Sequence, residues 1–313
     1  MSVIKVIHAA VAILQRPDGR VLLGQRPEGK PWAGWWEFPG GKIEEGETAL
    51  QALQRELQEE LGTEVIEAVP WMTRSFDYPE KTVKLHFFKV RQWLTEPHGK
   101  EGQQLSWQHP ERLTVEPMLP ANTPVLRALI LPTRYAITNL AETPEAVFFA
   151  QLQRALDGGL RLIQVREKQL TADEMQSFAR RIIQMCRPYS AKVLLNTHIE
   201  LVTQLGADGV HLTSEQLMGM MQRPHNMWVG ASSHNRTELD KAANLGLDFV
   251  TLSPVLPTCS HPEADGLGWL QFEASILDYP LPVFAMGGMQ PSDLVTAWQH
   301  GAHGIAMQRG IWA

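Results

Sequence analysis

Three glutamates, Glu56, Glu59 and Glu60, follow Arg55 directly within the stretch GGKIEEGETALQALQRELQEELGT, Gly40 to Thr63. Carboxylate oxygens at this density suit a hard divalent cation such as Mg²⁺. A cation held there would neutralise phosphate oxygens and lower the pKa of a bound water. The spacing decides whether the three can act together. From Thr48 to Leu61 the segment has no Gly or Pro and is rich in Ala, Leu, Gln and Glu, which predicts a helix. Thr48 suits its N-terminal cap and Gly62 its C-terminal stop. Leu50, Leu53, Leu57 and Leu61 fall on one apolar stripe. At about 100° per residue, the glutamates then gather on the other side. An ordinary solvated helix face is the competing reading. Against it, Glu56 and Glu60 form a like-charge i,i+4 pair, which repels unless a cation intervenes.

The order of residues adds more than the helix does. Gly41, Glu47, Arg55, Glu56, Glu59, Glu60 and Gly62 spell G-x5-E-x7-R-E-x-x-E-E-x-G, which resembles the signature of the Nudix hydrolases. Those enzymes split nucleoside-diphosphate-linked compounds. The resemblance implies a metal cradle of Glu56, Glu59 and Glu60 with a main-chain carbonyl at Gly40, and it adds Glu101 of HGKEGQQ as a further acidic group. Mg²⁺ is the implied cofactor, with Mn²⁺ as an alternative. Glu56 is expected to serve as metal ligand and water-orienting base, and Arg55 to hold a carboxylate rather than touch substrate. Lys42 and Arg26 are candidates for phosphate contacts; either alone also reads as a plain surface cation. Thr63 departs from the aliphatic residue usual at that position, although a β-branched residue still permits a strand to start there.

Within the family the chain is similar to the MutT-type 8-oxo-dGTP diphosphatases through LLGQR, WWEFPGGKIE, FDYP, GKEGQ and LPANTPV. The resemblance implies that Asn122 reads the oxidised base, with Glu37, Phe38 and Gly41 also at the substrate. The chemistry is consistent. Guanine N7 is an acceptor, whereas oxidation at C8 makes it an N–H donor. An Asn amide offers an acceptor beside a donor, so it would take the N7 proton and donate to O6. Phe38 and the neighbouring Trp residues suit a stack on the base, and equally a core. Glu80 and Lys81 stand where members of this type often carry Asp and Arg.

Downstream, QVREK (164–168), LLNTHIELVTQLGADGVHL (194–212), GASSH (230–234), LSPVLPT (252–258) and AMGGM (285–289) resemble thiamine phosphate synthase and the related thiazole tautomerase. The resemblance implies a phosphorylated ligand near Arg166, Lys168, Asn196 and His234, with backbone N–H groups at Gly287 and Gly288. Two departures weigh against synthase activity. Asn196-Thr197 stands where synthases have Asn-Asp, and Gln216 stands where they have a second Asp. Without those carboxylates a hard cation loses its charge partners. Arg309 enters a region where synthases use small residues. Three readings stay open for this half: a metal-free tautomerase with His234 as proton carrier, a binding module for a thiamine-related phosphate anchored by Arg309, or a structural remnant.

The elements that must position these residues fall into two domains, 1–131 and 132–313. The first reads as an α+β sandwich, for which the resemblance implies the Nudix fold. It has a hairpin turning at Pro17-Asp18-Gly19, a short strand at Glu37-Phe38, the acidic helix, strands near 65–72 and 82–90, and a short helix in LPANTPVLRALILP. In the second, eight strand-like runs alternate with helices, which favours a (β/α)8 barrel lacking its last helix. Hydrophobic residues make up 44 % and charged ones 20 % of a chain of net charge −6, a globular composition. No basic patch points to polymeric nucleic acid, and no apolar run is long enough to span a membrane. The two cysteines, Cys186 and Cys259, fit a reducing, cytoplasmic setting. Two rival readings of the whole chain remain: a hydrolase of damaged thiamine pyrophosphate, and a non-catalytic sensor, which the intact acidic motif disfavours.

Overall fold

The computed structural model describes residues 5–78, 81–258 and 265–312, so Glu80 and Cys259 lie outside the described residues. The chain divides into two compact units, 1–130 with 277–280, and 131–276 with 281–313.

In the first unit, β1 (Lys5–Leu14), β2 (Val21–Gln25), β3 (Trp36–Glu37) and β4 (Gly40–Lys42) precede α1 (Ala49–Leu61). Then come β5 (Val65–Tyr78), β6 (Lys81–Trp93), β7 (Leu105–Gln108) and α2 (Thr123–Leu129). One sheet runs β4-β1-β6-β5 and a second runs β3-β2-β7. β1 is apolar on both faces, and period-two alternation sends its side chains to two cores. Val11 and Ile13 pack with Val125 and Leu126 of α2. Ala10, Ala12 and Leu14 pack with Leu53, Leu57 and Leu61 of α1. Each fully buried leucine contributes about 1.5–3 kcal/mol, which is what fixes α1 against the sheet.

That double burial overturns the predicted hairpin. The turn forms, with Gly19 N–H donating to Arg16 O at 2.9 Å. Yet β1 meets β2 only at the Gln15–Val21 bridge. β1 instead takes β4 and β6 on its two edges, while β2 joins β3 and β7. A second correction concerns α1. Leu50 has the right angular position but is 39 % exposed and belongs to no core cluster. Position on the wheel does not bury a side chain when no apolar partner lies at its height. Thr48 and Gln51 form a reciprocal capping box, and Gly62 closes the helix at φ 61°. Thr63 opens no strand; it is fully buried, with its hydroxyl donating to Thr95 O at 2.7 Å.

The second unit is a closed all-parallel barrel. Its strands and helices are β8 (Arg134–Ile137), α3 (Glu145–Asp157), β9 (Leu162–Val165), α4 (Ala172–Cys186), β10 (Lys192–Asn196), α5 (Ile199–Leu205), β11 (Gly209–Leu212) and α6 (Ser214–Gly219). They continue with β12 (Trp228–Ser233), α7 (Arg236–Leu245), β13 (Phe249–Leu252), α8 (Gly268–Ile276), β14 (Val283–Met286), α9 (Leu294–Gln299) and β15 (Gly304–Met307). β15 pairs with β8 to shut the ring. Among the described residues no helix follows β15. Trp312 is buried instead, its indole N–H donating to Ile137 O at 2.8 Å and its ring 5.1 Å from that of Phe148. The interior is filled by Tyr135, Phe249 and Phe284, as barrels of this size require.

A device repeats where helices return to strands: Gly206-Ala207-Asp208, Gly246-Leu247-Asp248 and Gly301-Ala302-His303. Each glycine has positive φ (70°, 65° and 79°), and each next residue donates back into its helix. The carboxylates of Asp208 and Asp248 accept the N–H of Val193 and Val229, both at 2.8 Å. Asp248, with a side chain 2 % exposed, also meets Arg223 at 2.6 Å. Asp248→Ala would leave the Val229 N–H without its carboxylate acceptor, while Arg223 keeps Gly246 O and Met227 O, so it is expected to destabilise the barrel by about 1–3 kcal/mol. A barrel urea midpoint close to that of the parent chain would contradict this. No helix among the described residues is long and apolar enough to cross a membrane.

Candidate active site

In the first unit a cleft of ≈ 830 Å³ is lined by Gly40, Gly41, Glu56, Glu60, Glu101 and Asn122, among others. Sheet and α1 meet here because the Gly40-Gly41 strand edge must approach the helix closely. Gly40 sits at φ 141°, and a Cβ there would lie 2.2 Å from Ala10 O. A Cβ on Gly41 would lie 2.2 Å from the carboxyl carbon of Glu56. Gly41→Ala is therefore expected to push Glu56 out of place, lowering activity about 100-fold, the loss a small misplacement causes. An unchanged circular-dichroism spectrum beside that loss supports the reading; near-parental turnover contradicts it.

Arg55 organises the acids of α1. Its Nε and Nη2 donate to the Glu47 carboxylate at 2.7 and 3.0 Å, and Nη2 also reaches Lys42 O at 3.0 Å. Nη1 donates to Glu56 at 2.9 Å and to Glu59 at 3.2 Å. The Arg55 hydrogen bond pulls Glu47 down to about 2. Burial pushes the Glu56 carboxyl up, against the pull of Arg55. Glu60 is pushed up to about 7, by burial first and then by the charges of Glu56 and Glu101. Of the three α1 acids only Glu56 and Glu60 line the cleft; Glu59 is 60 % exposed in its side chain and turns to Arg55.

The other predicted positions divide into those the structure brings to the cleft and those it commits elsewhere. Arg26 lines the cleft, but its Nη1 bonds both Glu37 oxygens, at 2.6 and 2.7 Å, and its Nε bonds Pro31 O at 2.7 Å. That guanidinium is a brace, and Glu37 is its partner. Burial nonetheless pushes the Glu37 carboxyl up. Lys42 lines the cleft and meets Glu44 at 3.5 Å. Phe38 is both core and cleft wall. Asn122 ends a short 3-10 turn (Pro120–Asn122) and is only 4 % exposed, yet among the described residues its amide nitrogen donates only to Met118 Sδ, at 3.8 Å. Glu101 bonds Lys30 at 2.6 Å. Gln103 accepts from Glu101 N–H at 2.8 Å and donates to Glu60 O at 2.9 Å, tying the two acidic segments together.

In the barrel, Arg166, Lys168, Asn196, His234, Gly287, Gly288 and Arg309 all follow or end strands at one rim, because the strands are parallel. Several of these are committed. Asn196 accepts from Gln164 at 3.0 Å. His234 Nδ1 is 2.9 Å from Ser253 O. Gly287 and Gly288 have φ 98° and 69°, and a Cβ on either would run into the backbone of 254–257, so the pair is needed for close packing. Arg309 is paired with the Glu142 carboxylate, with Nε to Oε2 at 2.8 Å, the two side chains 40 % and 45 % exposed. Gln216 completes a capping box with Thr213 and donates to Thr197 O at 3.1 Å. Deeper in the barrel, His211 sits between Tyr135 OH (3.1 Å) and Ser232 Oγ (3.0 Å), and burial pulls it down to about 3. It is a neutral core histidine.

A family profile for the NUDIX domain matches residues 6–129, and one for thiamine monophosphate synthase matches residues 134–311. The first half is 39 % identical over 126 residues to the 8-oxo-dGTP diphosphatase of Haemophilus influenzae, spanning 40 % of this chain and 93 % of that protein. The chain joins a Nudix domain to a thiamine monophosphate synthase family barrel. The second half is 34 % identical over 164 residues to the thiamine-phosphate synthase of Lysinibacillus sphaericus, spanning 50 % of this chain and 76 % of that protein. A solved MutT structure, from work on Aliivibrio salmonicida and Vibrio cholerae, is 37 % identical, covering 40 % of this chain and 98 % of that one at a TM-score of 0.36.

The Nudix domain has the donor set a hard divalent cation takes: the carboxylates of Glu56, Glu60 and Glu101 and the carbonyl at Gly40. The half-buried, mutually repelling pair of Glu56 and Glu60 fits a positive charge between them. Among the described residues, no three such side chains are grouped tightly enough to hold a metal; Glu56 is paired with Arg55 and Glu101 with Lys30. Lys30, Gln103 and the Glu37 brace escape sequence reasoning. Lys30 and Gln103 sit on loops without periodicity and Glu37 ends the two-residue β3, so nothing but the fold brings them to α1.

Proposed function

We propose that the Nudix domain is a divalent-metal-dependent pyrophosphohydrolase of oxidised purine nucleotides, converting 8-oxo-dGTP to 8-oxo-dGMP and pyrophosphate. The observation that carries this reading is Asn122: a buried amide with one weak sulfur partner, lining the same cleft as Glu56, Glu60 and Glu101. Its carbonyl would accept the N7–H of the oxidised base and its NH₂ would donate to O6. Unoxidised guanine would set acceptor against acceptor, a mismatch that a polar site rejects strongly. When bound, Mg²⁺ or Mn²⁺ would neutralise the phosphates and acidify water. Glu56 would then receive the proton of the attacking water, held in line by Arg55, while Phe38, Val83 and Leu85 keep the base end apolar. Water adds across the anhydride between the first and second phosphates, with one proton released. The same proposal takes the protein to be cytoplasmic, on its sparse cysteine usage.

The barrel, in this reading, does not make thiamine phosphate. Asn196-Thr197 and Gln216 carry no carboxylate, and Gln216 is engaged as a helix cap. Whether it holds a thiamine-related phosphate is read by titrating the whole chain calorimetrically with thiazole phosphate and with thiamine phosphate. Heat with either favours the binding module, and none favours the remnant. Because the barrel belongs to a thiamine family, oxidised thiamine pyrophosphate belongs in the substrate panel. Pyrophosphate release is expected from 8-oxo-dGTP and 8-oxo-GTP. Turnover confined to the thiamine compound would replace the nucleotide reading.

A further inference from the structure

The loop between β2 and β3 carries a cation that neither the acidic motif nor the base site uses. Lys30 Nζ lies 2.6 Å from Glu101 Oε2, with the two side chains 46 % and 43 % exposed. Glu60 and Glu37 also pull on this ammonium, and the Arg26 guanidinium opposes them. Arg26, Lys42 and Lys81 also line the cleft; Arg26 is braced by Glu37 and Pro31 O, and Lys42 lies 3.5 Å from Glu44. Lys30 differs because its partner is one of the cleft's metal-type acids. The ammonium takes one acceptor site of the Glu101 carboxylate and repels a divalent cation brought to the same group, so the two compete. An ion pair this exposed is weak and yields readily to a competitor. The backbone beside it allows movement: Gly29 has φ 84°, with nothing within 4 Å of where a Cβ would stand.

Resting on the Nudix reading above, we propose that Lys30 is an exchangeable cation of the active site. It gives up Glu101 to the divalent metal and transfers its charge to a phosphate oxygen of the nucleotide. A lysine suits this role because it binds phosphate as a mobile point charge and needs no fixed fork geometry. The exchange keeps the positive charge within the cleft as the anionic substrate enters. It also makes metal and substrate binding mutually supportive, since each removes the other's competitor. Lys30 is a substrate-positioning residue on this account, and takes no part in proton transfer.

The test separates the two halves of the exchange. Mn²⁺ binding is measured by electron paramagnetic resonance without nucleotide, for the parent chain, Lys30→Met and Lys30→Arg. KM and kcat for 8-oxo-dGTP are then measured with Mg²⁺. Lys30→Met should bind Mn²⁺ about two- to five-fold tighter, the factor an exposed ion pair sets. The same variant should show a KM raised about tenfold with kcat little changed, the signature of lost uniform binding. Lys30→Arg should restore both values towards the parent. Equal or weaker Mn²⁺ binding by Lys30→Met, or an unchanged KM, would overturn the exchange while leaving the Nudix reading intact. A parent chain that binds no Mn²⁺ would overturn the metal site and the exchange with it. Exposure of the side chain makes misfolding of either variant no obstacle.

Discussion

Replacing Glu56 with Gln is expected to lower kcat for 8-oxo-dGTP by about three orders of magnitude or more, with circular dichroism unchanged. The size follows from losing two contributions at once. A positioned base contributes about 10²–10⁴ in rate, and the same carboxylate supplies one of the negative charges that would hold the cation. Glutamine is close to isosteric, and Arg55 Nη1 can still donate to its amide oxygen, so the network to Glu47 and Lys42 O survives. The loss would therefore report charge and basicity at this one position. A Glu56→Gln protein within tenfold of the parent would remove Glu56 from the chemistry.

Asn122→Ala is the second large effect, and it acts on selectivity. The ratio of kcat/KM for 8-oxo-dGTP to that for dGTP should fall by about 10² or more, because discrimination by a buried polar group vanishes with the group. Folding should not confound the measurement. Asn122 precedes α2, but its side chain makes no capping hydrogen bond, and Thr123 and Pro124 still open the helix. Among the described residues its only side-chain partner is the distant Met118 sulfur. A ratio that survives Asn122→Ala would place base recognition on another residue of the cleft.

These two predictions lean on residues of very different legibility. Glu56 was readable because α1 is a long, capped, amphipathic helix, in which sequence spacing converts directly into angular position. Even there the wheel failed at Leu50, where burial depended on a partner the helix alone cannot supply. The eight barrel strands were readable for a similar reason: short apolar runs alternate with helices, and a parallel strand is buried on both faces. The hairpin misreading has the opposite cause. Adjacent strands with a good turn usually pair, but β1 needed partners on both edges and found them at β4 and β6. Side-chain commitments were the least legible. Arg26 and Arg309 both read as free cations, and each proved to be paired with a glutamate, Glu37 and Glu142. The contact between Lys30 and Glu101 joins two loops whose spacing carries no signal at all.

On this proposal the acidic helix supplies one wall of the site, and the turn that ends at Asn122 sets its selectivity. The measurement that bears most directly on this account is the steady-state kcat/KM of the whole chain for 8-oxo-dGTP and for dGTP, with Mg²⁺, reading pyrophosphate release. The account predicts a preference for the oxidised nucleotide of about 10³ or more, within the range by which hydrogen-bonding sites reject mismatched partners. Equal turnover of the two triphosphates would contradict it.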